Sequence, residues 1–242
     1  MKTLLLSYPR SGNSWCRYIL ESITRRSTTG FPLLHPWTGN VNSHYFGNDE
    51  FDDDVILKLH GDPTELYRDR AALLGGRTSL IEKYLNKEYA LILLIRDPVE
   101  AITRHEGHNP GCPIRSRVRD PNYYYFKNIK LFDSYNGLKI AVYYEDLIQN
   151  PKVFIRKLGA FMGVENYDQK VESFMDNFEP HRETSRQLYS ANVQKTQTNG
   201  KPDSIKFHSS NYSQNYLKAQ WEKITQYQDP DVLKYIERYK VS

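Results

Sequence analysis

Leu4-Leu5-Leu6-Ser7-Tyr8-Pro9-Arg10-Ser11-Gly12-Asn13-Ser14-Trp15 is the stretch on which the reading of this 242-residue chain turns. An apolar run stops in a turn of small and polar residues, and a helix-compatible segment, residues 16–26, follows it. A strand, a small-residue turn and a helix start together present free backbone N–H groups and the positive end of a helix dipole, the ingredients of a phosphate cradle. Arg10 adds charge, and the hydroxyls of Ser11 and Ser14 add donors. G-x-x-x-x-G-K-[ST] cannot be written anywhere in the chain, so this is not a Walker loop. Taken alone, a glycine between serines reads equally well as an ordinary turn, and the surrounding segments decide.

Working outward, four short apolar runs read as strands: residues 3–8, 55–60, 89–95 and 139–144. Helix start signals lie between them, and this alternation implies an α/β fold, a central, mainly parallel sheet flanked by helices. The expectation is a single domain over residues 1–242 with the phosphate-binding loop after strand one. Asp97-Pro98 followed by Glu100 supplies an N-cap, a proline at the first helical position and the acid of a capping box. Asn150-Pro151 starts a helix with Val153, Phe154, Leu158, Phe161 and Met162 on its apolar face, stopped by Gly163. Asp229-Pro230 starts a last helix with Val232, Leu233, Ile236 and Tyr239 inward. Residues 189–213 are rich in Ser, Asn, Gln, Lys and Thr with almost no apolar pattern, and they read as a long loop or lid.

Lys and Arg number 33 against 29 Asp and Glu, a net +4 that is too mild for a protein that coats a nucleic acid. Any anion site is therefore local, and no nucleic-acid partner is expected. The apolar run at residues 90–95 is far shorter than the roughly 20 residues of a membrane span, and the opening run stops too early for a secretory core. Cys16 and Cys112 give no disulfide framework, so a reducing cytoplasm is the expectation. His105-Glu106-Gly107-His108 with Cys112 lacks a fourth ligand at zinc spacing, and the acidic run Asp49-Glu50-Phe51-Asp52-Asp53-Asp54 reads as a solvated loop; no metal is expected. Arg115, Arg117 and Arg119 before Tyr123-Tyr124-Tyr125 read as a solvated or acceptor-facing loop. The 19 tyrosines suit either an aromatic pocket or half-buried packing.

Tyr8-Pro9-Arg10-Ser11-Gly12-Asn13-Ser14-Trp15 resembles the first motif of the PAPS-dependent sulfotransferase family, Tyr-Pro-Lys-Ser-Gly-Thr-Thr-Trp. Arg10 replaces the lysine, and Asn13-Ser14 replace the two threonines. Arginine keeps the charge but is a poorer proton donor. Val55-Ile56-Leu57-Lys58-Leu59-His60 resembles the family segment Ile-x-Lys-Thr-His, whose lysine contacts the transferring sulfuryl group and whose histidine is the general base. Two-residue spacing on a strand puts Lys58 and His60 on one face, and an imidazole near its unperturbed pKa suits the task. Leu91–Arg104 resembles the 3′-phosphate motif, a buried strand ending in Arg-Asn/Asp-Pro with a serine eight residues after the arginine. Here Arg96 takes the first role, and Arg104 stands at the serine position with Thr103 beside it. Tyr143-Tyr144-Glu145-Asp146-Leu147 resembles the family's Tyr-Glu-Asp-Leu strand, and Asn177-Phe178-Glu179 a Ser-Phe-Glu segment. The late Arg-Lys-Gly-x-x-Gly-x-Trp-Lys loop is eroded over residues 205–213, where only Lys206 survives as a cation.

The resemblance implies in-line transfer of a sulfuryl group from PAPS to a hydroxyl or amine of a small-molecule or glycan acceptor, leaving PAP. It assigns His60 as base and Arg10, Lys58 and Ser14 to the transferring group. The loop residues Arg10, Ser11, Gly12, Asn13, Ser14 and Trp15 would cradle the cofactor, with Arg96, Thr103, Arg104 and Lys206 at the 3′-phosphate and Trp15, Tyr144 and Phe178 at adenine. Two other readings stand beside it: a nucleotide kinase or NTPase built on the same cradle, which would need ATP and Mg²⁺, and a catalytically silent nucleotide-binding homologue.

Overall fold

The computed structural model describes residues 2–26, 28–30, 56–61, 85–106, 123–196 and 211–241. Five parallel strands, β1 (Thr3–Ser7), β2 (Thr28–Gly30), β3 (Ile56–Leu59), β4 (Ala90–Ile95) and β5 (Lys139–Tyr143), form one sheet in the order β2-β3-β1-β4-β5. Four of them match the apolar runs to within a residue at each end. The edge strand β2 escaped the sequence reading because three residues carry no pattern; it is held by a buried polar cluster. Arg17 Nε donates to Thr28 Oγ1 at 2.9 Å and Nη2 to the Thr28 carbonyl at 2.7 Å, while the Thr28 N–H reaches Glu21 Oε1 at 2.8 Å.

Strand alternation sorts the core into two layers. Leu4, Leu6, Leu57, Leu59, Leu91, Leu93 and Ile95 pack on one face of the sheet, under α2 (Pro98–Glu106), α3 (Tyr124–Ser134) and α8 (Gln214–Thr225). Leu5, Ile56, Ile92, Leu94 and Val142 pack on the other, under α1 (Asn13–Thr24), α5 (Pro151–Phe161) and α6 (Tyr167–Asp176). Between β5 and α5 lies the short α4 (Tyr144–Gln149); α7 (Phe178–Thr196) follows α6, and the chain closes with α9 (Pro230–Leu233) and a 3₁₀ turn, Glu237–Tyr239. Leu4, Leu5 and Leu6 are fully buried, each stabilising the fold by about 2 kcal/mol relative to exposure. The helix that follows β1 lies on one face and the helices that follow β4 on the other, so a crevice opens beyond the C-terminal ends of these neighbours, where open α/β sheets take ligands.

Three local expectations change. Asp97 caps α2 as read, its Oδ1 accepting from Val99 N–H at 2.8 Å, but the Asp97 N–H goes to Glu145 Oε1 at 3.1 Å, because Glu100 is turned to Arg96 instead. On α5, Phe154, Ile155, Leu158 and Met162 face inward whereas Val153 is exposed, and Gly163 ends the helix in a left-handed turn, its N–H to Ala160 O and that of Val164 to Gly159 O. The expected loop 189–213 is helical in its first part: α7 continues to Thr196, and residues 197–210 lie outside the described residues. Among the described residues no helix is long and apolar enough to cross a membrane.

Candidate active site

The turn after β1 is shaped by two left-handed residues, Arg10 (φ 67°) and Gly12 (φ 87°). Gly12 is also sterically required, because a Cβ there would lie 2.2 Å from Tyr144 Cδ2. The loop is pinned from within: Ser11 N–H reaches the Tyr8 carbonyl at 3.3 Å, Asn13 Nδ2 reaches the same oxygen at 3.3 Å, and Ser7 Oγ donates to Asn13 Oδ1. No side chain caps α1 and no acid sits in its first turn, so its positive end faces the crevice unopposed.

A cleft of about 500 Å³ opens over this loop, a size suited to a nucleotide-sized ligand. Its floor is Arg10, Gly12, Asn13, Ser14 and Trp15 from the loop, Lys58 and His60 from the end of β3, and Arg96 with Arg104 from β4 and α2. Tyr144 and Ile148 border it from α4, and Arg182, Ser185 and Arg186 from α7. Six cationic side chains and no carboxylate line it among the described residues. Burial, and then the neighbouring Arg96 charge, lower the Arg104 pKa, a penalty on its charged form that a bound anion would relieve.

Lys58 and His60 share a face, as their spacing predicts, and touch: Lys58 Nζ contacts His60 Nε2. His60 Nδ1 lies 2.9 Å from the Ser7 carbonyl. Only an N–H can bond a carbonyl, so Nδ1 carries the proton and Nε2 keeps its lone pair toward Lys58. Burial, and secondarily the Arg17 charge, bring Lys58 down to about 7. The pair is thus a base and a lysine close to neutrality, side by side at a strand end.

Arg96 is more committed than its motif implies. Nη1 donates to the Arg10 carbonyl at 2.9 Å, Nη2 is paired with Glu100 Oε2 at 2.5 Å, and the guanidinium lies over the Tyr144 ring at 4.4 Å. It therefore holds the left-handed Arg10 in place. Asp97 beside it is raised to about 6, chiefly by burial. Ser11 Oγ, Trp15 Nε1, Thr103 Oγ1 and Arg96 Nε are buried with no hydrogen-bond partner. Leaving such groups unpaired is costly, and two of these residues, Trp15 and Arg96, line the cationic cleft, which fits an oxyanion-rich ligand.

The structure gathers Arg10, Gly12, Asn13, Ser14, Trp15, Lys58, His60, Arg96, Arg104 and Tyr144 around the cleft. Ser11 is fully buried beneath the loop, and Thr103 is off the lining. Phe178 is also off it: it meets Trp15 directly, edge to face with centroids 5.8 Å apart, so a base stacked between these two rings would have to part them. Lys206, Cys112, His108, the acidic run and Arg115, Arg117 and Arg119 lie outside the described residues. Among the described residues no cluster of His, Cys, Asp and Glu could hold a metal ion. The sequence reading missed Arg182, Ser185 and Arg186, which fall on one face of a helix that it left unassigned.

No protein-family model matches the chain, and no curated protein sequence matches it. Solved structures do. Mouse sulfotransferase SULT7A1 complexed with PAP aligns over 98% of this chain and 87% of its own, with a TM-score of 0.53 at 13% identity. Retinol dehydratase in complex with androsterone and inactive cofactor PAP aligns over 98% and 80%, with a TM-score of 0.44 at 11% identity. The chain has the sulfotransferase fold.

Proposed function

We propose that the chain is a PAPS-dependent sulfotransferase acting on a hydroxyl or amine of a small-molecule or glycan acceptor. The observation that carries this reading is the pairing of Lys58 and His60 in the floor of a cationic cleft, built on the β1 loop, that no carboxylate lines among the described residues. The residues fit such a cofactor. The uncapped amides of α1, Arg10 and Ser14 would hold its 5′-side phosphate and sulfonate, and Trp15, whose Nε1 has no partner, belongs to the same lining.

PAPS supplies an activated sulfuryl group, whose bond to the 5′-phosphate oxygen breaks as the acceptor oxygen or nitrogen bonds to sulfur, leaving PAP. His60 takes the acceptor proton at Nε2, the position left basic by the Nδ1 bond to Ser7, once Lys58 Nζ turns from it to the transferring group. Lys58 and Arg10 place positive charge where negative charge grows on the leaving oxygen, and loop amides add fixed dipoles. Any proton delivered to the leaving side comes from Lys58, whose lowered pKa suits donation.

Thermal shifts and labelled transfer test the reading together. PAP raises the melting temperature and ATP with Mg²⁺ does not. Transfer of label from PAPS to a screened acceptor falls by about 10²-fold or more in His60→Ala, while its PAP shift is kept. Selective stabilisation by ATP with Mg²⁺ overturns the reading in favour of a kinase. A PAP shift without transfer to any acceptor class overturns the enzyme and leaves a nucleotide-binding protein.

A further inference from the structure

A helix laid on a protein body turns an apolar stripe inward. On α7 the stripe starts that way, with Phe178 against Trp15 and His181 stacked on Phe174 at 4.2 Å. One turn later it changes character. Arg182, Ser185 and Arg186 follow at i+4, i+7 and i+8, the same face, and all three line the cleft. Ser185 is only 4% exposed, a polar residue at a position that helix packing would fill with an aliphatic one.

The arginines' present partners are weak. Arg182 Nη1 is 3.3 Å from Glu179 and Arg186 Nη1 3.7 Å from Glu183, both carboxylates being exposed, three residues back and absent from the cleft lining. Exposed pairs of this kind contribute little to stability and yield to a multiply charged anion. Arg96 is the reverse case: both of its terminal nitrogens are already bound to protein, one to a carboxylate beside it, and Nε is buried, so its fork is committed before a phosphate arrives.

We propose that Arg182, Ser185 and Arg186 form a clamp that grips the second phosphate of the nucleotide, the 3′-phosphate, and so selects PAPS and PAP over nucleotides phosphorylated only on the 5′ side. The clamp rests on the PAPS reading of the cleft. It takes the work that Arg96, tied to Glu100 and to the Arg10 carbonyl, is not arranged to do.

Titration calorimetry of the full chain with PAP and with adenosine 5′-monophosphate tests it, in wild type, Arg186→Gln and the double variant Arg182→Gln/Arg186→Gln. Both side chains are substantially exposed, so the variants keep the unliganded melting temperature, which is measured first. The double variant should lose about tenfold or more in PAP affinity while its adenosine 5′-monophosphate affinity moves less than about twofold, with Arg186→Gln between. Unchanged PAP affinity overturns the clamp and leaves α7 a solvated wall. An equal loss for both nucleotides also overturns it, assigning the arginines to the 5′ side or to the general field. Failure of wild type to bind PAP at all is a different result, which removes the PAPS reading itself and the clamp with it.

Discussion

At the floor of the cleft the chain offers backbone; along α7 it offers side chains. The loop from Tyr8 to Trp15 is fixed by left-handed residues, by a glycine pressed on Tyr144 and by hydrogen bonds that close within eight residues. Arg182 and Arg186 stand on a regular helix with long, substantially exposed side chains and replaceable partners. A ligand therefore meets a prebuilt cradle at one end and an adaptable clasp at the other. Pre-organisation at the floor keeps ordering costs low where charge must be stabilised during reaction, whereas the clasp has only to recognise.

The comparison breaks hardest at Gly12. Gly12→Ala combines an L-residue at φ 87° with a Cβ driven into Tyr144, a cost of at least about 2 kcal/mol. A melting temperature lower by roughly 4–8 °C is expected at this chain length, together with loss of both PAP and adenosine 5′-monophosphate binding, in contrast to the selective loss expected on α7. An alanine variant that melts and binds like wild type would show that the floor is no more constrained than the wall. Glu100→Gln comes next. It keeps an acceptor for Arg96 but removes the charge from a pair in which the side chains are 8% and 13% exposed, costing about 1.5 kcal/mol. The released guanidinium then becomes available to ligand, so the melting temperature falls without PAP while the shift produced by PAP grows; a shift that shrinks would return Arg96 to a purely structural post.

The smallest effect is a proton. With Lys58 lowered from 10.5 to about 7, the unfolded chain binds more protons there than the folded chain between those values, so this group makes stability rise as pH climbs through that window and leaves the cost of its buried charge in full below it. An anion beside Lys58 raises it again. PAP binding at about pH 8 should then take up close to one proton, visible as a dependence of the calorimetric enthalpy on the ionisation enthalpy of the buffer. Equal enthalpies in two such buffers would separate Lys58 from the anion.

Legibility followed the same division. Four strands and the small-residue turn after β1 could be read from sequence because apolar runs and such turns report backbone directly. Lys58 and His60 could be paired because strand alternation leaves no other geometry at that spacing. What could not be read depended on partners distant in sequence. Glu145, not Glu100, takes the Asp97 N–H, a contact across 48 residues. Trp15 and Phe178 close on each other, although each alone looks like a base-stacking platform. The α7 wall was hidden because its inward face carries Arg and Ser where apolar periodicity would have marked a helix, and the same absence made residues 189–196 look like loop. That mismatch between face and composition was itself the available signal.

Cys16 follows Trp15 at the start of α1, and it is fully buried against the sheet with its thiol pushed up to about 12. Neither access nor thiolate is available in the closed state, so an alkylating reagent reaches this sulfur only when α1 lifts away. The rate of its modification therefore counts the moments at which the first helix detaches, a built-in clock for breathing of the segment that carries the loop, and any ligand that seats there will slow it.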